Sequence, residues 1–229
     1  MMSKFSSNQS LGDFQNLVSD IYSLPDDRLF SLWDLVSNQE RFTMRALKGI
    51  RKGNTDKIKT NLLIAFSWTM AVANRLKIDV EEAVWSRFPA RCTYCGGSSC
   101  VCKKIKSAKK TKFKRKVELK PGSLAGFQKM FEAIYPSSSR NLFEAGVHLA
   151  EEMGEQSEAI HRFLGEHKKN LFKEIEVEIA DYISCIFGVA NSANIQIAKG
   201  LEKMYWKNCH VCHELPCECN FSSVGKFKS

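Results

Sequence analysis

One cysteine spacing occurs twice in the chain, and it constrains the fold more than any other feature. Cys92-x2-Cys95-x4-Cys100-x-Cys102 returns 117 residues later as Cys209-x2-Cys212-x4-Cys217-x-Cys219. Other segments return in the same order. Ser10-Leu11-x-x-Phe14-Gln15 comes back as Ser123-Leu124-x-x-Phe127-Gln128, Ile21-Tyr22 as Ile134-Tyr135, and Leu29-Phe30 as Leu142-Phe143, all at an offset of 113. Val72-Ala73-Asn74 comes back as Val189-Ala190-Asn191 and Ile78 as Ile195, at 117. A helix start, a helix core and a four-cysteine motif repeated in order predict an internal duplication. They also place four extra residues of the second copy in the loop between its second and third helices.

Each copy reads as a few amphipathic helices ending in a cysteine motif. Ser10 is an N-cap signal before Leu11, Phe14, Leu17, Val18 and Ile21, which recur at helical spacing. Leu24-Pro25-Asp26-Asp27 predicts a break, with a second helix from Asp26 or Asp27 to Lys48. A third helix is expected over Asp56–Leu76 and a shorter one over Ile78–Phe88, opened by Asp79. Ser123 caps a new helix after the Pro121-Gly122 turn. One strand signal stands out: Phe113, Val117 and Leu119 alternate within 111–119 and could form a short ribbon. The expected fold class is therefore all-α, two helical bundles packed as an intrachain pseudo-dimer. The expected division is 1–102, a basic linker at 103–122, and 123–229.

Eight of the nine cysteines belong to the two motifs. Four thiolates within eleven residues suit a tetrahedral Zn²⁺ ion, and a site with four protein ligands has no open position, so its role is structural. Gly96-Gly97 and Pro216 fit a sharp knuckle. His210 and His213 are possible substitute ligands, and reduced thiols or redox disulfides are the alternatives. Cys185 reads as a small core residue.

The chemistry lies between Leu149 and Ile195. Glu152 and Glu155 are three apart, and so are Glu178 and Asp181, with 22 residues between the motifs. Residues i and i+3 share a helix face, so two such helices side by side would gather four carboxylates. Glu155 and Asp181 also fall near the apolar stripes of their helices. Burying four carboxylates without a counter-charge is prohibitively costly, and Mg²⁺, a hard octahedral ion that takes carboxylate oxygens and substrate phosphates, supplies one. Spacing alone leaves a solvated acidic face equally open. Glu151, Glu158 and Glu174 lie near the same face as candidates to position or deprotonate a water.

The order ExxE, about twenty residues, ExxD resembles the MazG-type all-α nucleoside triphosphate pyrophosphohydrolases. The matching stretches are His148–Ile160 (HLAEEMGEQSEAI) and Glu178–Asn191 (EIADYISCIFGVAN). The resemblance covers roughly 124–220, and 11–102 through the repeat. It implies Mg²⁺ held by the catalytic residues Glu152, Glu155, Glu178 and Asp181, and Glu151 is a further catalytic candidate from its place near the same face. It further implies cleavage of a (deoxy)nucleoside triphosphate to the monophosphate and pyrophosphate. Asn191 and Lys199 are further candidates for substrate contact.

In the first copy, Glu152 falls on Gln39, Glu155 on Phe42, Glu178 on Asn61 and Asp181 on Ile64. None is ionisable, so that copy is expected to have lost the metal and to support the other. Trp33, Trp68, Arg41, Arg45 and Lys48 are the residues it could lend to the pocket. The Asn74/Asn191 pair is expected to make a structural hydrogen bond where the copies meet.

The net charge of +9 is concentrated, since ten of residues 103–120 are Lys or Arg and one is Glu. This segment reads as a solvated linker, a nucleic-acid contact or a phosphate-steering element. A zinc-stabilised nucleic-acid-binding or nucleotide-sensing scaffold is the alternative function. No apolar run reaches the ~20 residues of a membrane span. No secretory signal is visible, so the cytoplasm is the expected location, and further self-association of the pseudo-dimer is open.

Overall fold

The first helix shows how local chemistry sets the boundaries. In the computed structural model, which describes residues 5–102 and 116–220, α1 spans Leu11–Leu29. Ser10 Oγ accepts from the Asp13 amide while the Asp13 carboxylate accepts from the Ser10 amide, a capping box that satisfies two orphan donors. The expected break at Pro25 does not occur; α1 runs through it. Arg75 holds the last turn, donating from Nη2 to the Asp26 carbonyl at 2.8 Å and from Nη1 to the Phe30 carbonyl at 3.1 Å. The Asp26 carbonyl also accepts from the Phe30 amide, so α1 continues to Leu29 and the second helix starts later than expected, behind Ser31.

That helix, α2, spans Leu32–Arg51 behind a second capping box of Ser31 and Asp34. α3 spans Thr55–Leu76, capped by Asn54, and α4 spans Val80–Arg87, capped by Asp79 as expected. In the second half α5 spans Leu124–Ile134 behind Ser123, α6 spans Leu142–Glu166 behind Asn141, α7 spans Lys169–Ser192 and α8 spans Ile197–Met204. Among the described residues there is no strand. Val117–Leu119 forms a 3-10 turn where the ribbon was expected, and residues 103–115 of the basic segment lie outside the described residues. None of the described helices is long and apolar enough to cross a membrane.

The extra length of the second half is not in the loop. At the repeat offsets α6 ends two residues later than α2 and α7 starts three residues earlier than α3, and the α6–α7 connection holds only His167 and Lys168. Leu29 ends α1, whereas its repeat partner Leu142 opens α6.

α2 packs on α3, α6 on α7, α2 against α6 and α4 against α7. One continuous core runs through both halves. Its spine is a run of rings: Phe14 on Phe66 at 5.7 Å, Phe66 on Phe187 at 5.9 Å, Phe187 on Phe131 at 5.4 Å, and Phe131 on Phe88 at 5.1 Å. Such pairs each contribute about 0.5–1.5 kcal/mol beyond area burial. Two buried polar contacts also cross. Gln39 and Gln156 exchange amide bonds at 3.0 Å, and Thr43 Oγ1 lies 2.6 Å from the Tyr182 hydroxyl.

The cysteine segments strap the halves together. The Cys100 amide donates to the Ile134 carbonyl at the end of α5, and the Cys217 amide donates to the Ile21 carbonyl in α1, both at 2.7 Å. Each segment thus docks on the first helix of the other half.

Candidate functional site

α6 and α7 lie side by side, and their facing turns bring Glu152, Glu178 and Asp181 together. One carboxylate oxygen from each lies within 4.8 Å of the other two. Glu155 is exposed and outside this group of three, although it feels the charges of Glu152 and Asp181. Glu151 and Glu158 are exposed, and Glu174 is engaged by Arg162 Nη1 at 2.6 Å.

The cluster is electrostatically strained without a cation. Burial, then the charges of Asp181, Glu152 and Glu155, push the Glu178 carboxyl up to about 7. Burial and the charges of Glu152 and Asp181 also raise Glu155. Glu152 Oε1 sits 3.0 Å from His148 Nε2, while Glu152 Oε2 is buried with no hydrogen-bond partner. Three clustered carboxylates, one with a buried oxygen that has no hydrogen-bond partner, are the donor set a hard divalent cation takes.

One cation side chain already reaches the cluster. Arg87, the last residue of α4, donates from Nε to Asp181 Oδ1 at 2.8 Å and from Nη2 to Oδ2 at 2.6 Å. Burial disfavours its charge, but the Asp181 bond and the charges of Asp181 and Glu178 hold its pKa above the usual value. Tyr94, inside the first cysteine motif, feels Arg87, Asp181, Glu152 and Glu155 and so stands beside the same cluster. Neither residue was a candidate from sequence. The signal that could have found Arg87 is its place in the repeat: position 204, 117 later, is Met204.

The first-half candidates lie elsewhere. Arg41 and Arg45 stack over the Phe42 ring at 4.7 and 5.2 Å, and Lys48 is exposed. Trp33 meets His161 of α6 at 4.2 Å. Phe42, Ile64 and Ala65 form a small apolar cluster with Trp68 and Met204 against it. A cavity of about 80 Å³ adjoins that cluster, lined by Phe42, Ile64, Trp68, Val211 and Asp26 among others. Burial pushes the Asp26 carboxyl up to about 7 against the lowering charge of Arg75.

Asn74 and Asn191 do not join the halves. Gln128 Nε2 donates to Asn191 Oδ1 at 2.9 Å and to the Ile195 carbonyl at 2.7 Å, and Gln15 does the same with Asn74 at 3.0 Å and Ile78 at 2.7 Å. Both networks tie helices within one half. The Asn191 side chain is thereby occupied, and Lys199 is exposed on α8.

Each cysteine set gathers its four sulfurs within 4.8 Å of one another. Cys92–Cys102 and Cys209–Cys219 are 3.7 Å apart and Cys212–Cys217 3.8 Å. A tetrahedron with Zn–S bonds of about 2.3 Å has edges near 3.8 Å, whereas a disulfide needs about 2.05 Å. All nine thiols are free. Each set could hold one zinc ion. Gly96, with φ +75, and Gly97, where a Cβ would lie 2.5 Å from the Ser99 carbonyl oxygen, allow the tight turn of the first set. The two histidines are engaged otherwise: His210 Nδ1 is 3.0 Å from the Tyr22 hydroxyl and His213 Nδ1 is 3.0 Å from the Cys209 carbonyl.

No family model matches this chain, and no curated protein or solved structure does either.

Proposed function

We propose that the protein is a Mg²⁺-dependent hydrolase that cleaves a (deoxy)nucleoside triphosphate to the monophosphate and pyrophosphate, in the manner of the MazG-type enzymes it resembles. The observation that carries this reading is the triad of Glu152, Glu178 and Asp181, with Glu152 Oε2 buried and without a hydrogen-bond partner. These three carboxylates would hold the metal. When bound, Mg²⁺ neutralises phosphate charge and polarises a water for attack.

The chain's own residues do the rest. Arg87 neutralises Asp181 while the carboxylates stand without a metal. With a cation on Asp181, its guanidinium is placed to take triphosphate oxygens in a bidentate grip. Glu155, beside the triad but outside it and raised in pKa, is suited to accept the proton of the attacking water. Tyr94 offers a ring and a hydroxyl at the rim.

The same reading makes residues 1–102 a degenerate copy of 123–229. Support comes from paired interactions at the repeat offsets: Gln15–Asn74 with Gln128–Asn191, and Cys100–Ile134 with Cys217–Ile21. The positions laid on Asp181, Glu155, Arg87 and Tyr94 carry Ile64, Phe42, Met204 and Val211. All four gather at the apolar cluster or its cavity. The cysteine sets would hold structural zinc, fixing Tyr94 and Val211 at the two opposite sites.

The test is incubation with each common NTP and dNTP plus Mg²⁺, with chromatographic identification of products. Monophosphate and pyrophosphate from at least one nucleotide are expected. Diphosphate and orthophosphate would refute the cleavage position, and no turnover with tight RNA or DNA binding would favour the scaffold reading.

A further inference from the structure

Cys185, the one cysteine outside the two motifs, does not sit in a purely apolar setting. It projects from α7 toward α6, where His148 and Glu152 stand one helical turn apart. The His148 nitrogen, a Glu152 oxygen and the Cys185 sulfur all lie within 4.8 Å of one another. Two observations beyond proximity point to a ligand. His148 Nε2 already approaches Glu152 Oε1 at 3.0 Å, and Glu152 Oε2 is buried without a partner. Glu152 therefore belongs to two ligand sets at once, this one and the three-carboxylate group.

We propose that His148, Glu152 and Cys185 form a third metal site, selective for a thiophilic divalent cation such as Zn²⁺ or Co²⁺ and bridged through Glu152 to the three-carboxylate cluster. Imidazole plus thiolate favours such ions, whereas carboxylates alone favour Mg²⁺. Three protein ligands leave a fourth position open, as in non-structural zinc sites. His148 is exposed and Cys185 buried, so the site opens at the α6 surface through the imidazole. The Arg140 guanidinium also interacts with Cys185 and supplies positive charge beside the sulfur.

Sharing Glu152 couples the two sites. A thiophilic ion on His148 and Cys185 draws Glu152 away from Glu178 and Asp181 and so opposes Mg²⁺ there. This coupling rests on the hydrolase reading; the metal site itself does not.

The experiment uses the full chain with both cysteine sets loaded with zinc. Co²⁺ is titrated in, reading the thiolate-to-cobalt charge-transfer absorption in the near ultraviolet and any zinc released. The band should saturate at one equivalent without zinc release. Cys185→Ser should abolish it, and His148→Ala, a surface change that leaves the core intact, should weaken Co²⁺ binding by roughly tenfold or more. No band in the wild type, a band that appears only with zinc release, or a band unchanged in both variants would overturn the site. In parallel, Co²⁺ should inhibit Mg²⁺-dependent pyrophosphate release in the wild type and not in Cys185→Ser. Absence of any turnover would sink the hydrolase reading and leave the cobalt band to decide the metal site.

Discussion

Arg87 grips both carboxylate oxygens of Asp181, at 2.8 and 2.6 Å, from the opposite half of the chain. The two side chains are 13% and 14% exposed, so the pair is largely withdrawn from water. The positions related to them by the repeat are Met204 and Ile64, which pack at an apolar cluster. One end of the molecule thus carries a charged constellation, and the positions at the repeat offsets carry an apolar one. On the proposed reading, the apolar cluster is what a metal site becomes when its chemistry is no longer required.

Replacing Arg87 by Ala should leave the largely buried Asp181 without its counter-charge. With both cysteine sets zinc-loaded and no Mg²⁺ added, the variant should lose roughly 1–3 kcal/mol of stability. Mg²⁺ should then stabilise it more than it stabilises the wild type, because a cation bound only by the native state adds stability. The check is thermal unfolding of both proteins with and without Mg²⁺. An equal Mg²⁺-induced shift in Tm would show that Arg87 and the cation do not share Asp181. Activity should fall as well, and Arg87→Lys should restore it only weakly because a lysine cannot make the bidentate grip.

The pH dependence follows from Glu178. Its folded pKa is raised from 4.5 to about 7, so the native state of the metal-free protein holds a proton that the unfolded chain has given up. That contribution is fully present below about 4.5 and is lost as pH rises through about 7. Mg²⁺ requires the ionised form, so its affinity should weaken about tenfold per pH unit below about 7. Isothermal calorimetry at several pH values reads this directly, with proton release on binding. A pH-independent affinity across that range would remove Glu178 from the ligand set.

Each cysteine segment is bonded to the first helix of the other half, so losing one zinc should loosen the whole molecule. Cys100→Ser should lower the zinc content by one ion per chain and lower the Tm of a single cooperative transition. If zinc content is unchanged, or only a minor local transition moves, the strap described by Cys100–Ile134 and Cys217–Ile21 does not hold the halves.

The reciprocal Gln39–Gln156 bonds give a cycle with a clear sign. Gln39→Leu alone strands a buried amide and should cost about 1–3 kcal/mol, whereas changing both to Leu should recover most of it. Urea unfolding of the two single variants and the double variant measures the coupling; simple additivity would mean that the amides do not rely on each other.

Much of this was legible in the chain. Ser10, Asp79 and Ser123 announced their helices because a side-chain cap is a local interaction, and the cysteine spacing announced a four-sulfur cluster. Pro25 misled because its penalty was read locally, whereas the carbonyl it leaves open in α1, that of Ile21, accepts from the Cys217 amide of the other half. The carboxylates of Glu152, Glu178 and Asp181 followed from helical periodicity, but Glu155 stands apart because the packing of α6 on α7 decides which turn faces which. Arg87 and Tyr94 were invisible as site residues, since only the tertiary arrangement carries residues of the first half to the second.

The most direct measurement of the central claim is Mg²⁺-dependent pyrophosphate release from a panel of NTPs and dNTPs, made in parallel for the wild type, Asp181→Asn and Glu152→Gln, each shown to be folded by circular dichroism. The account predicts release from at least one nucleotide by the wild type and a loss of at least about a hundredfold in both variants. Undiminished release by the folded Asp181→Asn protein, or no release from any nucleotide by the wild type, would contradict it.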